Sequence, residues 1–84
     1  MATNLRVTRT FELPDEVADA LIERLNAADG QMAASHITYS RSDPEGNELP
    51  PGEWPKVRAV LDEWASEEGE LDPRLEELRR SVGD

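Results

Sequence analysis

The residues of this sequence best suited to do chemistry are carboxylates at helical spacing. Asp15, Asp19 and Glu23 recur at i, i+4 and i+8, and Glu63 and Glu67 repeat the i, i+4 step later in the chain. Side chains at this spacing share one face of a helix, with Cβ atoms about 5–6 Å apart. Neighbouring phosphates of a nucleic-acid strand have a similar separation, so such rows suit a groove lined with arginine and lysine.

Most of these acids have no stabilising role that the sequence explains. Asp15 is favoured by the dipole at a helix N-terminus, whereas Glu68 and Glu70 lie where a helix ends and the dipole disfavours anions. Like charges one turn apart destabilise a helix by roughly 0.2–0.5 kcal/mol per pair. We therefore predict a partner-binding surface of seven residues: Asp15, Asp19, Glu23, Glu63, Glu67, Glu68 and Glu70.

The charge of the whole chain supports this interpretation. The formal net charge is −10, from 19 acids and 9 bases, and most of the excess lies in residues 43–84. Such a surface repels nucleic acid and anionic membranes and attracts basic surfaces. A net charge of magnitude about 2–8 is ordinary for a small soluble domain. A charge of −10 favours a binding role, and an acidic face that only solubilises the chain stays open as an alternative.

Signatures of catalysis and of metal binding are absent from the sequence. There is no cysteine, and His36 is the only imidazole, so no set of Cys and His ligands is available. The serines stand in no nucleophile-elbow context, and the glycines form no phosphate loop. Acids are too numerous for one acid–base pair to stand out. We expect no enzyme, no metal and no cofactor, and a His36 that is solvated or hydrogen-bonded on the outer face of a strand.

The first half of the chain is predicted to contain two strands and a helix. Alternation of apolar and polar residues predicts half-buried strands over 5–13 and 34–41. Between them, apolar residues at helical spacing predict an amphipathic helix over 14–28. Pro14 suits its first position, and Gly30 suits the left-handed position beyond its end.

The second half is predicted to contain a loop and two helices. Residues 42–53 have turn-forming composition and no periodicity, which indicates a surface loop able to be mobile. Pro55 begins a helix over 55–68 that Gly69 ends, and Asp72 caps a third helix with Pro73 at its first position.

These elements predict an α+β fold in one small domain over residues 1–84, in the order β-α-β-α-α. Two short strands are marginally stable alone, so three helices must cover them or a dimer must complete the sheet. Exposed strand edges make a homodimer a possible partner arrangement. No apolar run approaches the about 20 residues of a membrane helix, and the N-terminus lacks a signal-peptide pattern. We expect a cytoplasmic protein that contacts no membrane.

The stretch VTRTFELPDEVADALIERLNA, residues 7–27, resembles the opening of ribbon-helix-helix proteins. In that family a strand with alternating polar residues leads through a Leu-Pro-acid turn into an amphipathic helix. The strand pairs with its twin across a dimer and reads the DNA major groove. The resemblance implies a dimeric DNA-binding regulator or antitoxin that reads DNA through Arg6, Thr8 and Thr10. It ends at Gly30, where the family's second helix is expected and the sequence predicts a strand.

Small size, acidity and the lack of catalytic motifs resemble another class, the small acidic inhibitors of phages and mobile elements. This class includes anti-CRISPR proteins and nucleic-acid mimics, and it has no shared motif to match. The resemblance implies that the chain docks on a basic surface of a nucleic-acid-handling protein complex and inhibits it, without binding nucleic acid directly.

Overall fold

The computed structural model describes residues 3–7 and 10–83. Its elements are β1 (Thr3–Arg6), β2 (Thr10–Leu13), α1 (Asp15–Ala27), α2 (Gln31–Ser40), β3 (Asn47–Glu48), a short 3-10 helix (Pro51–Glu53), α3 (Trp54–Glu68) and α4 (Pro73–Gly83). Within these residues the fold is α+β, with a three-stranded sheet and four α-helices. The predicted class is confirmed, and the predicted order with three helices is only roughly matched.

The sheet is built around β1, with strand order β2-β1-β3. β1 pairs antiparallel with β2, where Leu5 lies opposite Phe11, and parallel with β3, where Leu5 lies opposite Asn47. Leu5 and Phe11 are buried on one face, against which α2 and α4 pack, while Arg6 and Thr10 are exposed on the other. The helices therefore cover a single face of the sheet.

The prediction of one strand over residues 5–13 is wrong, because this segment contributes to two antiparallel strands. The physical reason lies in the register of the hairpin. Leu5 pairs with Phe11 and Arg6 with Thr10, so odd-numbered residues of both strands lie on the same face. The alternation of apolar and polar residues is therefore the same in one long strand and in this hairpin. It does not reveal where the chain reverses direction. Thr8 lies outside the described residues.

The prediction of a strand over residues 34–41 is also wrong, because Gln31–Ser40 form helix α2. A strand would place Ile37 and Tyr39 on one face, yet Ile37 is fully buried and Tyr39 is 63% exposed. The buried residues of α2 instead follow the helical period: Ala33, Ala34, Ile37 and Ser40. Hydroxyl side chains also form hydrogen bonds within the helix, since Thr38 Oγ1 donates to the carbonyl of Ala34 at 2.9 Å.

The helix ends follow the predictions with two differences, of which the first is that Pro14 is the N-cap residue of α1 and does not fill its first position. Gly69 ends α3 with φ +84°, and Asp72 caps α4 by accepting a hydrogen bond from the Arg74 N–H at 2.9 Å. After α1, however, the left-handed residue is Asp29, with φ +61°, and not Gly30. Gly30 is needed for close packing, because a Cβ there would lie 3.0 Å from the Leu25 carbonyl oxygen.

Residues 42–53 are not entirely a loop, since they contain β3 and the short 3-10 helix. Leu49 anchors this segment: its side chain is fully buried, and its N–H donates to the Arg6 carbonyl at 2.9 Å. Trp54 Nε1–H donates to the Leu49 carbonyl at 2.9 Å. The third strand is thus supplied by the same chain, so no dimer is needed to complete the sheet; a homodimer stays a prediction.

One apolar cluster joins the sheet to all four described helices. Trp54 and Trp64 are half-buried and pack against it. The radius of gyration is 11.3 Å, close to the roughly 12 Å of a compact domain of this length. None of the helices in the described ranges is long and apolar enough to cross a membrane.

Candidate functional site

Several acidic side chains lie along the seam between α1 and α3. These helices pack together and run in opposite directions: Ala27 of α1 lies near Val60 of α3, and Ala20 lies near Trp64. The apolar stripe of each helix turns one face into the common core. Residues flanking the stripes are therefore brought together along the seam.

Arg24 bridges the middle of the seam. Its Nη1 lies 3.0 Å from Glu67 Oε2, and its Nη2 lies 3.8 Å from Glu68 Oε1. Its Cζ lies 4.4 Å from the centroid of the Trp64 ring, in a cation–π arrangement. One guanidinium thus holds together two acids and one aromatic ring of α3.

One end of the seam opens into a groove of about 340 Å³ between α1 and the turn that joins α3 to α4. We call it the acidic groove, and its lining comprises Glu16, Val17, Ala20, Trp64, Glu68, Glu70, Leu71, Asp72 and Leu75. Five of these side chains are apolar and four are carboxylates. No basic side chain of the described ranges lines it. The other end of the seam is a second groove of about 290 Å³, which Arg24, Glu63 and Glu67 help to line.

The seven acids predicted as a binding surface are not all brought together. The α3 members and Glu70 lie along the seam. On α1, Asp19 instead points towards the end of α2, where its Oδ1 lies 2.6 Å from Arg41 Nη2. Arg41 Nη2 also donates to the Asp15 carbonyl at 3.0 Å. The two predicted stripes therefore do not merge into one continuous row of carboxylates.

Three of the seven acids have basic partners that the sequence did not reveal. Asp19 pairs with Arg41, and Glu67 and Glu68 pair with Arg24, so these three acids have a stabilising role that the sequence did not explain. The two members of each pair are distant in sequence, so helical spacing does not predict these contacts. Three other acids of the set are exposed and form no ion pair with the described residues: Glu23, Glu63 and Glu70.

Sequence reasoning missed three members of the seam. Glu16 lies next to Val17 at the edge of the apolar stripe, so its position beside the core was the signal that could have placed it. Asp72 was assigned only a capping role, and its carboxylate group also lines the acidic groove. Trp64 follows Val57 and Leu61 at helical spacing on the apolar side of α3, and it forms part of the groove wall as well.

The residues implied to read DNA are only partly described. Arg6 and Thr10 are exposed and lie opposite each other across the hairpin, on the face that no helix covers. Glu48 is the parallel neighbour of Arg6, and Glu12 lies on the same strand as Thr10. Thr8 is outside the described residues. The exposed face therefore mixes one described base with two acids.

His36 belongs to α2 and not to a strand. Its Nδ1 lies 3.0 Å from Asn47 Oδ1, so the imidazole is hydrogen-bonded and ties α2 to β3. This agrees with the expected hydrogen-bonded role. Within residues 3–7 and 10–83, no group of three or more His, Cys, Asp or Glu side chains is arranged to hold a metal ion.

Known proteins provide no relative from which a function could be assigned, so the proposal below rests on the geometry of the seam. No protein-family description, no curated protein and no solved structure shows significant similarity to the chain.

Proposed function

We propose that this chain is a non-enzymatic acidic protein that docks its α1–α3 seam on a basic surface of a nucleic-acid-handling protein complex and inhibits that complex. The observation that carries the proposal is the composition of the two grooves along the seam. Six carboxylates and one guanidinium, that of Arg24, line them. Carboxylates held by α3, by the turn from α3 to α4 and by Glu16 of α1 present negative charge along the seam, as the phosphates of a nucleic acid do along a strand.

The position of the charge supports docking on a protein. Complementary charge steers association and excludes partners of like charge, and a net charge of −10 extends this field beyond the seam. Apolar residues lie between the carboxylates, and their burial by a partner would stabilise the complex. A purely solubilising surface needs no such apolar component.

The test begins by isolating the partner from a host lysate and measuring whether the protein displaces a labelled duplex from it. The seam variant carries Glu63→Lys and Glu67→Lys, which lie in the second groove. The matched control carries Glu45→Lys and Glu48→Lys, two exposed acids outside both grooves. Both double variants change the net charge by the same amount.

We expect the seam variant to lose at least about tenfold in inhibition, equivalent to about 1.4 kcal/mol of binding free energy. The control should inhibit like the unmodified protein. If both variants inhibit fully, the acidic surface only solubilises the chain. If both lose inhibition equally, net charge and not the seam is responsible.

One observation favours the DNA-binding regulator as a second candidate. Because α2 follows α1 directly, β2, α1 and α2 have the strand-helix-helix order of the ribbon-helix-helix family. The pairing differs, since β1 of the same chain occupies the place of the twin strand. A gel shift with random duplex at physiological salt, abolished by Arg6→Ala, would establish this candidate. We expect no shift, because the negative net charge opposes binding to phosphate.

A further inference from the structure

The acidic groove combines an apolar floor with a charged rim. Val17, Leu71 and Leu75 contribute apolar surface, and the carboxylates of Glu16 and Glu70 belong to its rim. Its volume of about 340 Å³ lies at the lower end of the roughly 300–1,000 Å³ typical of small-molecule sites. The groove therefore suits a long side chain with an apolar stem and a positive end.

The chain itself shows which cation this surface accepts. Arg24 stacks on Trp64 and contacts Glu68, and both of these residues also line the acidic groove. The ring and the carboxylate thus already bind one guanidinium from the seam side. In the groove they are joined by further acids, while no basic side chain of the described residues lines it.

From this geometry we infer that the acidic groove receives an arginine side chain of the partner protein. The guanidinium lies among the rim carboxylates, and the methylene stem covers the apolar floor. This inference rests on the proposed function, and it names the chemistry of the partner at one point of the interface.

Arginine fits the groove better than lysine for two reasons. Its planar guanidinium pairs with carboxylates through two parallel hydrogen bonds and stacks on aromatic rings, whereas an ammonium is a compact and strongly hydrated charge. Arginine is also enriched among the residues that dominate binding energy at protein interfaces. An anionic ligand, such as a phosphate, would be repelled by the same rim.

The two tryptophans provide the measurement, since each indole N–H gives its own signal in a ¹H–¹⁵N NMR spectrum. Trp64 lines the groove, whereas Trp54 lies about 15 Å away along α3, from the rise of 1.5 Å per residue. The Trp54 N–H donates to the Leu49 carbonyl, which makes it an internal control. The probe is a tetra-arginine peptide with blocked termini, compared with tetra-lysine and with uncharged tetra-citrulline.

We expect tetra-arginine to shift the Trp64 indole signal in a saturable manner and to leave that of Trp54 in place. Tetra-lysine should bind roughly two- to fivefold more weakly, because it lacks much of the stacking contribution. Tetra-citrulline should cause no saturable shift. Equal affinity for arginine and lysine, or no movement of the Trp64 signal, would overturn the inference.

Charge removal tests the groove separately from the general acidity of the chain. Glu68→Gln with Glu70→Gln should weaken tetra-arginine binding about tenfold, because the guanidinium loses two partly exposed carboxylate partners. Glu45→Gln with Glu48→Gln makes the same change in net charge outside the groove and should leave binding within about twofold. Equal weakening by both pairs would show that the peptide binds no particular site and would overturn the inference.

The partner experiment distinguishes this inference from the proposed function. Inhibition by the Glu68→Gln, Glu70→Gln variant should fall as its arginine binding falls. If that variant inhibits fully while the Glu63→Lys, Glu67→Lys variant does not, the seam is the docking surface and the arginine site is wrong. An unchanged far-UV spectrum and an unchanged Trp54 signal verify that each variant is folded.

Discussion

Arg24 illustrates how much of a surface can depend on one side chain of the opposite charge. It pairs with Glu67, stacks on Trp64 and is 30% exposed, so its guanidinium is only partly hydrated. Without it, the acids of α3 would face the seam with no described counter-charge in its grooves. The residue therefore stabilises the packing of α1 on α3 and lowers the negative charge at the centre of the proposed docking surface.

Replacing Arg24 tests this stabilising role. Arg24→Ala should lower the free energy of unfolding by about 1–2 kcal/mol, from a cation–π contact worth about 0.5–1 and exposed ion pairs worth about 0.2–1 kcal/mol. Urea denaturation measures the change. Arg80→Ala is the matched control, because Arg80 is exposed on α4 and has no ion pair with the described residues. A loss of the same size in both variants would mean that the seam contacts contribute nothing.

At the scale of elements, the sequence determined most helices but not the connections of the sheet. Periodicity and end signals located α1, α3 and α4, since Pro, Gly and Asp act locally. The hairpin was not predicted because its register keeps apolar residues on one face and polar residues on the other, as a single strand would. Helix α2 escaped because Ile37 is its only large buried apolar residue, and a single such residue fits either period. The seam was found only in part, since pairs such as Arg24 and Glu67 depend on tertiary packing.

Two glycines with positive φ allow two connections of the fold to be tested separately: Gly69 at the end of α3 and Gly46 before β3. Gly69 has φ +84° and open space where a Cβ would stand, so Gly69→Ala should destabilise by about 1 kcal/mol through backbone strain alone. Gly46 has φ +88°, and a Cβ there would overlap the carbonyl oxygen of Asn4 in β1. Gly46→Ala should therefore cost clearly more, about 2–4 kcal/mol, because strain and displacement of the segment before β3 add together.

Chemical denaturation of both glycine variants under identical conditions gives the comparison. Both glycines have a positive φ, and only Gly46 also has a steric overlap at its Cβ position, so the order of the two losses is the decisive result. A smaller loss for Gly46→Ala than for Gly69→Ala would contradict the close approach of this segment to β1.

For the whole molecule, the excess of negative charge has opposite effects on folding and on binding. Self-repulsion of a net charge of −10 destabilises the folded chain, and salt screens it. Association with a basic surface depends on the same field and is weakened by the same screening. The molecule and its proposed complex should therefore respond to salt in opposite directions.

A salt series tests this opposition. Raising NaCl from low concentration to about 0.5 M, where the Debye length is about 4 Å, should raise the thermal unfolding midpoint of the free protein by several degrees. Over the same range the affinity for the isolated partner should fall markedly, mostly through a slower association rate. Calorimetry and surface plasmon resonance measure the two effects. An affinity that does not change with salt would exclude an electrostatic complex.

The parallel pairing of β1 with β3 also determines the order in which the chain can fold. Leu5 and Asn47 are neighbours in the sheet although more than forty residues separate them, whereas α3 and α4 are adjacent in sequence and pack together. Closing so long a segment has a large entropic cost before any contact compensates it, so local helix pairs form earlier. The β1–β3 contact should then be absent from the folding transition state. Leu49→Ala should accelerate unfolding in stopped-flow experiments and leave the refolding rate almost unchanged.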